Sequence, residues 1–125
     1  MATVPTPPLV LIVDDSWTEL TWMANALQAE GYRVITANDG DEALEKVLAE
    51  RPDCVILDVV LPKQSGFQVC RRLKQQAHSR EIPVILISVK QTPTDQQWGL
   101  QQGAALYLPK PFSPEVLVQS VKRVL

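Results

Sequence analysis

The run Cys54-Val55-Ile56-Leu57 contains no polar residue and ends in a single carboxylate, Asp58. It carries no helical stripe and is bounded by Pro52 and Pro62. A strand that is apolar at every residue is buried on both faces, as in a parallel sheet covered by helices. In open sheets of this kind, ligand chemistry gathers just beyond the carboxyl ends of the strands. Asp58 is expected at that edge.

The rest of the chain repeats the pattern. Leu9-Val-Leu-Ile-Val13 is a second apolar run ending in acid, Asp14-Asp15. Leu20, Met23, Ala24 and Leu27 then recur at helical spacing, and Gly31 is placed to close that helix. Tyr32 to Thr36 predicts a strand. Asp39 with Glu42 three residues on is a capping box, opening a helix through Leu44, Val47 and Leu48 that Arg51-Pro52-Asp53 ends. Ser65 with Gln68 is a second capping box, and Phe67, Cys70 and Leu73 are expected to face inward. Pro83 to Ile87 predicts a fourth strand ending at Ser88. Thr92-Pro93 opens a helix running to Gln102, before Gly103. Ala105 to Leu108 predicts a fifth strand. Ser113-Pro114 opens a last helix with an apolar stripe of Leu117, Val121 and Val124.

Five strands alternating with five helices argue for an α/β fold with a five-stranded parallel sheet and helices on both faces. The strand order expected is 2-1-3-4-5, a flavodoxin-like three-layer sandwich. A length of 125 residues suits one domain, expected over 9–125, with 1–8 as a short Pro-rich extended tail. No segment reads as an output domain. A net charge of −2 gives no general attraction to nucleic acid or to an anionic membrane. No apolar run approaches the ~20 residues of a membrane span, and the first residues lack a basic signal region. Cys54 and Cys70 read as core residues, not a disulfide. A cytoplasmic location is expected.

In this fold the carboxyl edge collects Asp14 and Asp15, Asp58, Ser88 and Lys110. Two like charges ~4 Å apart repel by about 4 kcal/mol at an effective dielectric near 20. Carboxylates so placed either take up protons or hold a cation. A hard divalent ion, Mg²⁺ by default, suits oxygen ligands. Lys110 can meet one phosphoryl oxygen and the Ser88 hydroxyl another. These are the parts needed to transfer a phosphoryl group to a carboxylate nucleophile.

The motifs Ile12-Val13-Asp14-Asp15-Ser16, Asp58-Val59-Val60-Leu61-Pro62 with Gly66, Ser88 at a strand end, and Lys110-Pro111-Phe112 together resemble the receiver domain of two-component response regulators. The likeness extends over essentially all of the chain after Pro8. It implies that Asp58 is the phosphoacceptor. It implies that Asp14, Asp15, Asp58 and the backbone carbonyl of Val60 hold Mg²⁺, and that Ser88 and Lys110 grip the phosphoryl group. Tyr107 resembles the aromatic switch residue. The implied partners are a cognate histidine kinase and a downstream motility or signalling protein, met through the fourth helix, fifth strand and fifth helix. No nucleic acid or membrane is implied, and the chain is expected as a monomer or weak dimer.

A finer likeness lies in Asp14 to Glu19, Thr94-Asp95 and Trp98 to Ala104, which resemble stand-alone chemotaxis-type receivers that control type IV pili, twitching or phototaxis. Trp17 departs from that pattern, standing where many have Pro. A Lys110-Pro111 cis peptide is also expected.

Three other functions compete. A haloacid-dehalogenase-like phosphatase needs an acid two residues after its nucleophile, and Val60 stands there. A flavodoxin-type carrier needs a hydroxyl- and Gly-rich loop after the first strand, where this chain has two acids. A pseudo-receiver, signalling without phosphate, is opposed by the complete acid set. His78 reads as a solvated helix-end residue. Gln96, Gln97, Gln101 and Gln102 read as a solvated face or a partner contact. Trp22 is assigned to packing.

Overall fold

The computed structural model describes residues 6–125. Five strands alternate with five helices: β1 (Leu9–Val13), α1 (Trp17–Ala29), β2 (Arg33–Ala37), α2 (Gly40–Glu50), β3 (Cys54–Asp58), α3 (Gly66–Gln75), β4 (Val84–Ser88), α4 (Pro93–Gln101), β5 (Leu106–Pro109) and α5 (Pro114–Val124). Every strand pairing is parallel and the sheet order is β2-β1-β3-β4-β5, as the alternation predicts. Of the tail expected over 1–8, residues 1–5 lie outside the described residues.

Consecutive strand residues point to opposite faces, so one sheet separates two cores. Leu11, Val13, Val55, Leu57 and Leu86 meet Val47 of α2 and Val69 and Leu73 of α3. Val10, Ile12, Ile56 and Ile87 meet Met23 and Leu27 of α1 and Leu117 and Val121 of α5. Fully burying one such side chain stabilises by about 1.5–3 kcal/mol. An exposed helix pair contributes only ~0.2–0.5 kcal/mol. The sheet faces therefore decide the fold. β1, β3 and β4 are buried at every residue, whereas the outer strands β2 and β5 are mostly half-buried.

The helix starts are local chemistry. Ser16, Asp39, Ser65, Thr92 and Ser113 each accept a hydrogen bond from the backbone N–H three residues on. Each such cap contributes about 1 kcal/mol. The Ser65–Gln68 box closes fully. At α2, Glu42 instead accepts the N–H of Asn38, so the second half of that expected box is displaced by one residue.

Other expectations shift as well. Leu48 is 58 % exposed, because Gly40, Ala43 and Val47 form the inner face of α2. Phe67 is only half-buried, and Val69 takes the inner place beside Cys70 and Leu73. β2, β4 and β5 each begin one residue later than expected. At β4 the cause is Pro83, which has no N–H to donate although its carbonyl accepts from Val55. Both cysteines are free and buried, and burial pushes their thiols up, to about 12 at Cys54 and about 11 at Cys70. No helix among the described residues is long and apolar enough to cross a membrane.

Candidate functional site at the carboxyl edge of the sheet

β1 and β3 are neighbours with Val13 opposite Leu57, so the next residues, Asp14 and Asp58, leave the sheet side by side. Both are buried, at 1 % and 5 % exposure, while Asp15 is exposed. Oxygens of Asp14, Asp15 and Asp58 lie within 4.8 Å of one another. On the far side, the backbone N–H of Lys110 donates to the carbonyl of Ser88 at 2.8 Å. The Lys110–Pro111 peptide is cis, as expected.

The two buried acids share one pattern. Asp14 Oδ1 accepts the N–H of Ser16 at 2.9 Å, and Asp58 Oδ1 accepts that of Val60 at 2.9 Å. Their other oxygens share Lys110, whose Nζ lies 3.0 Å from Asp14 Oδ2 and 2.9 Å from Asp58 Oδ2. Burial pushes the Asp58 carboxyl up to about 6, with the bonds from Lys110 and Val60 opposing and the charge of Asp14 adding to it. Burial also disfavours the Lys110 ammonium, but the hydrogen bonds and charges of Asp58 and Asp14 outweigh it and raise its pKa. A proton on Asp58 would weaken the pair that Lys110 makes, so ionisation of Asp58 and placement of the ammonium go together.

Ser88 is fully buried and its Oγ accepts the N–H of Lys90 at 3.0 Å. The Tyr107 hydroxyl donates to the carbonyl of the same Lys90 at 2.7 Å. The Lys90 backbone thus stands between the two residues assigned to switching. The same loop is tied again by Gln91, whose side-chain amide donates to the carbonyl of Lys110. Val60 and Val89, 50 % and 66 % exposed, follow Asp58 by two residues and Ser88 by one.

Sequence reasoning passed over Gln91, the backbone role of Lys90 and the packing role of Gly99. A Cβ on Gly99 would stand 2.7 Å from the Tyr107 ring, so the ring packs directly on the backbone of α4. A lone Gly inside a helical pattern is the signal for that, since it costs ~1 kcal/mol against Ala unless packing requires it. His78 lies beyond the end of α3 and is exposed. Trp22 packs against Phe112 with ring centroids 5.5 Å apart, and its Nε1 donates to Glu19 at 2.7 Å.

A doubly wound sheet with a buried carboxylate on its third strand, flanked by two acids and gripped by a lysine, defines the class. The chain belongs to the response regulator receiver domain family, which it matches over residues 10–122. Within that family it is 40 % identical to the protein PilH of Pseudomonas aeruginosa over 116 residues, 93 % of this chain and 96 % of PilH. It is 42 % identical to the alkaline phosphatase synthesis transcriptional regulatory protein PhoP of Bacillus subtilis, over 93 % of this chain. It spans only 48 % of PhoP, so that relative is about twice as long. Among solved structures, the chemotaxis response regulator CheY4 of Vibrio cholerae superposes with a TM-score of 0.91 at 38 % identity, covering 96 % of this chain and all of CheY4.

Receiver domains are signalling proteins, not metabolic enzymes, and those of this family bind Mg²⁺ at an acidic pocket. The donor set here fits that ion. Three carboxylates face one ammonium, a deficit of two charges if all are ionised, and every side-chain ligand is a hard oxygen.

Proposed function

We propose that this chain receives a phosphoryl group from a histidine kinase on Asp58 and thereby changes the face it presents to a partner. The observation that carries this reading is the convergence of Asp14, Asp15 and Asp58 within 4.8 Å, with Lys110 bonded to two of them. In the transfer, an Asp58 oxygen forms a bond to phosphorus as the bond from phosphorus to the donor's imidazole nitrogen breaks. The nitrogen keeps that electron pair. Bound at Asp14, Asp15, Asp58 and the Val60 carbonyl, Mg²⁺ supplies charge neutralisation for the phosphoryl oxygens. Lys110 is poised to move from its carboxylate partners onto one of those oxygens, and Ser88 Oγ to donate to another. The test is direct: incubate the chain with a small phosphodonor and Mg²⁺ and follow intact mass. One phosphoryl adduct, absent without the metal, is expected; no adduct would remove the assignment of Asp58.

The Lys90 backbone supports the assignment of Ser88 and Tyr107 to switching. When Ser88 Oγ turns to the phosphoryl group it releases the Lys90 N–H, freeing the β4–α4 loop and the Tyr107 ring that rests on α4. The responding surface is then α4, β5 and α5. Ser88→Ala is expected to accept phosphate at a reduced rate while losing most of the gain in partner affinity. Equal affinities for the phosphorylated wild type and variant would take Ser88 out of the switch.

The adduct should be long-lived. Hydrolysis needs a water in line with the bond that breaks. Val60 cannot orient one by a hydrogen bond, and Val89 is β-branched and stiff at the rim. Val89→Ala and Val60→Asn are each expected to speed decay of the adduct; unchanged decay in both would show that these side chains do not gate the water.

The likeness to PilH and CheY4, each matched over nearly its whole length, supports a role in motility or taxis, and we propose that the chain, with its receiver domain over 9–125, acts there as a cytoplasmic monomer or weak dimer. Scoring surface motility and taxis in a strain lacking the gene tests this, and unaltered movement would contradict it.

A further inference from the structure

We propose that the groove between α3 and α4 docks an acidic, amphipathic segment of a partner protein, on a surface separate from the phosphoryl site. Charge in this chain is unevenly placed. Residues 71–80 hold Arg71, Arg72, Lys74 and Arg80, four of the chain's 12 Lys and Arg, and none of its 14 Asp and Glu. Outside that stretch, 8 cations stand against 14 acids, so a local basic patch sits on an acidic molecule. Arg71, Arg72 and Arg80 are exposed and enter none of the ion pairs among the described residues.

Lys74 is fixed at the groove. Its Nζ donates to the carbonyls of Arg80 at 3.1 Å and Ile82 at 2.6 Å. Its stem lies so close to Gly103 that a Cβ there would stand 2.6 Å from Lys74 Cγ. Bonds to carbonyls leave the ammonium its full charge. Arg71 and Lys74, three residues apart, share one side of α3.

Across from them, α4 supplies an apolar anchor that the core does not use. Gly99 is the sole buried residue of α4, and Trp98 remains 49 % exposed. Between the two helices lies an open groove of about 540 Å³, bordered by Arg71, Lys74, Gln75, Trp98, Gln101 and Gln102. Its border contains no acid. Trp and Arg are the side chains most often found to dominate binding energy, particularly where an aromatic is covered and ringed by groups that exclude water. An apolar side chain of the partner covers Trp98, its carboxylates meet Arg71 and Lys74, and the amides of Gln75, Gln101 and Gln102 serve its polar edge. Charge complementarity sets the sign of the partner and speeds the encounter.

The experiment uses the whole chain with Trp17→Phe and Trp22→Phe, which leaves Trp98 as the one fluorophore among the chain's three Trp. It is titrated with a synthetic amphipathic helix of Leu, Ala and Glu, and separately with the same helix carrying Lys for Glu. The Glu helix is expected to shift Trp98 emission to the blue, saturably, with an affinity that falls as salt rises. Arg71→Ala should weaken it by about tenfold, and in the otherwise wild-type chain Trp98→Ala should weaken it similarly by calorimetry. The proposal is overturned if the Glu helix causes no shift, if the Lys helix binds equally well, or if a homopolymeric RNA binds more tightly than the Glu helix. None of these readouts depends on phosphorylation, so they stand apart from the fate of Asp58.

Discussion

Gly66→Ala is expected to unfold the chain more readily than any other single added methyl group. A Cβ at that position would lie 2.2 Å from the backbone oxygen of Asp58 and 2.8 Å from its carbonyl carbon and from the Cα of Val59. Overpacking a core side chain usually costs ~1–3 kcal/mol, because neighbours can rotate aside. Here the neighbours are backbone atoms of the strand end and cannot rotate. The N–H of Gly66 also donates to the Val59 carbonyl at 2.8 Å, so the first turn of α3 cannot move off without breaking that bond. A loss of several kcal/mol follows, with a site displaced in whatever fraction remains folded. Urea unfolding of the variant beside the wild type measures it. A loss below about 1 kcal/mol would mean that α3 has room to retreat.

Asp58→Asn should abolish the phosphoryl adduct and, without divalent cations, make the chain more stable at neutral pH. Burial lifts the Asp58 carboxyl from 3.8 to about 6. Between those values the unfolded chain has lost its proton and the folded chain still holds it. This contribution to stability is present in full below about pH 4 and is lost as pH rises through about 6. The shift corresponds to about 3 kcal/mol at ~1.4 kcal/mol per unit. Asn cannot ionise, so the variant escapes the loss, while Lys110 keeps Asp14 as a partner. Wild type and variant should converge near pH 4 and separate by up to about 3 kcal/mol at pH 7. Mg²⁺ should narrow the gap by stabilising the ionised wild type. Denaturation in chelator across that range decides it; parallel curves would show that ionising Asp58 carries no such cost.

The strands were legible because Leu9–Val13, Cys54–Leu57 and Val84–Ile87 are apolar at every residue, and only a sheet covered on both faces accommodates that. The helix starts were legible because a cap is made by one side chain and a backbone N–H three residues on, as at Ser65. Leu48 lies in the expected helix yet is exposed, because a helical stripe is wider than its buried centre, which Gly40 and Ala43 hold by being small. The carboxylates and Lys110 could be placed from strand ends alone. The Lys90 backbone could not, since its bonds to Ser88 and Tyr107 use peptide groups that every residue has. Gly66 was visible as part of a motif, but its reason is a tertiary contact with Asp58 that spacing does not show.

The half-buried outer strand β5 has a consequence for how the molecule breathes. Backbone amides at Ile56, Leu57 and Ile87 lie in strands buried throughout and should exchange with deuterium only when the whole domain opens. β5 has a sheet neighbour on one side only, is half-buried at each of its four residues, and includes Pro109, which has no N–H. Its remaining amides should exchange through small local openings, far more often than the centre does. Asp58 should therefore lie in the slowest-exchanging layer and Tyr107 in a faster one, which would let the aromatic ring change position while the carboxylate keeps its place.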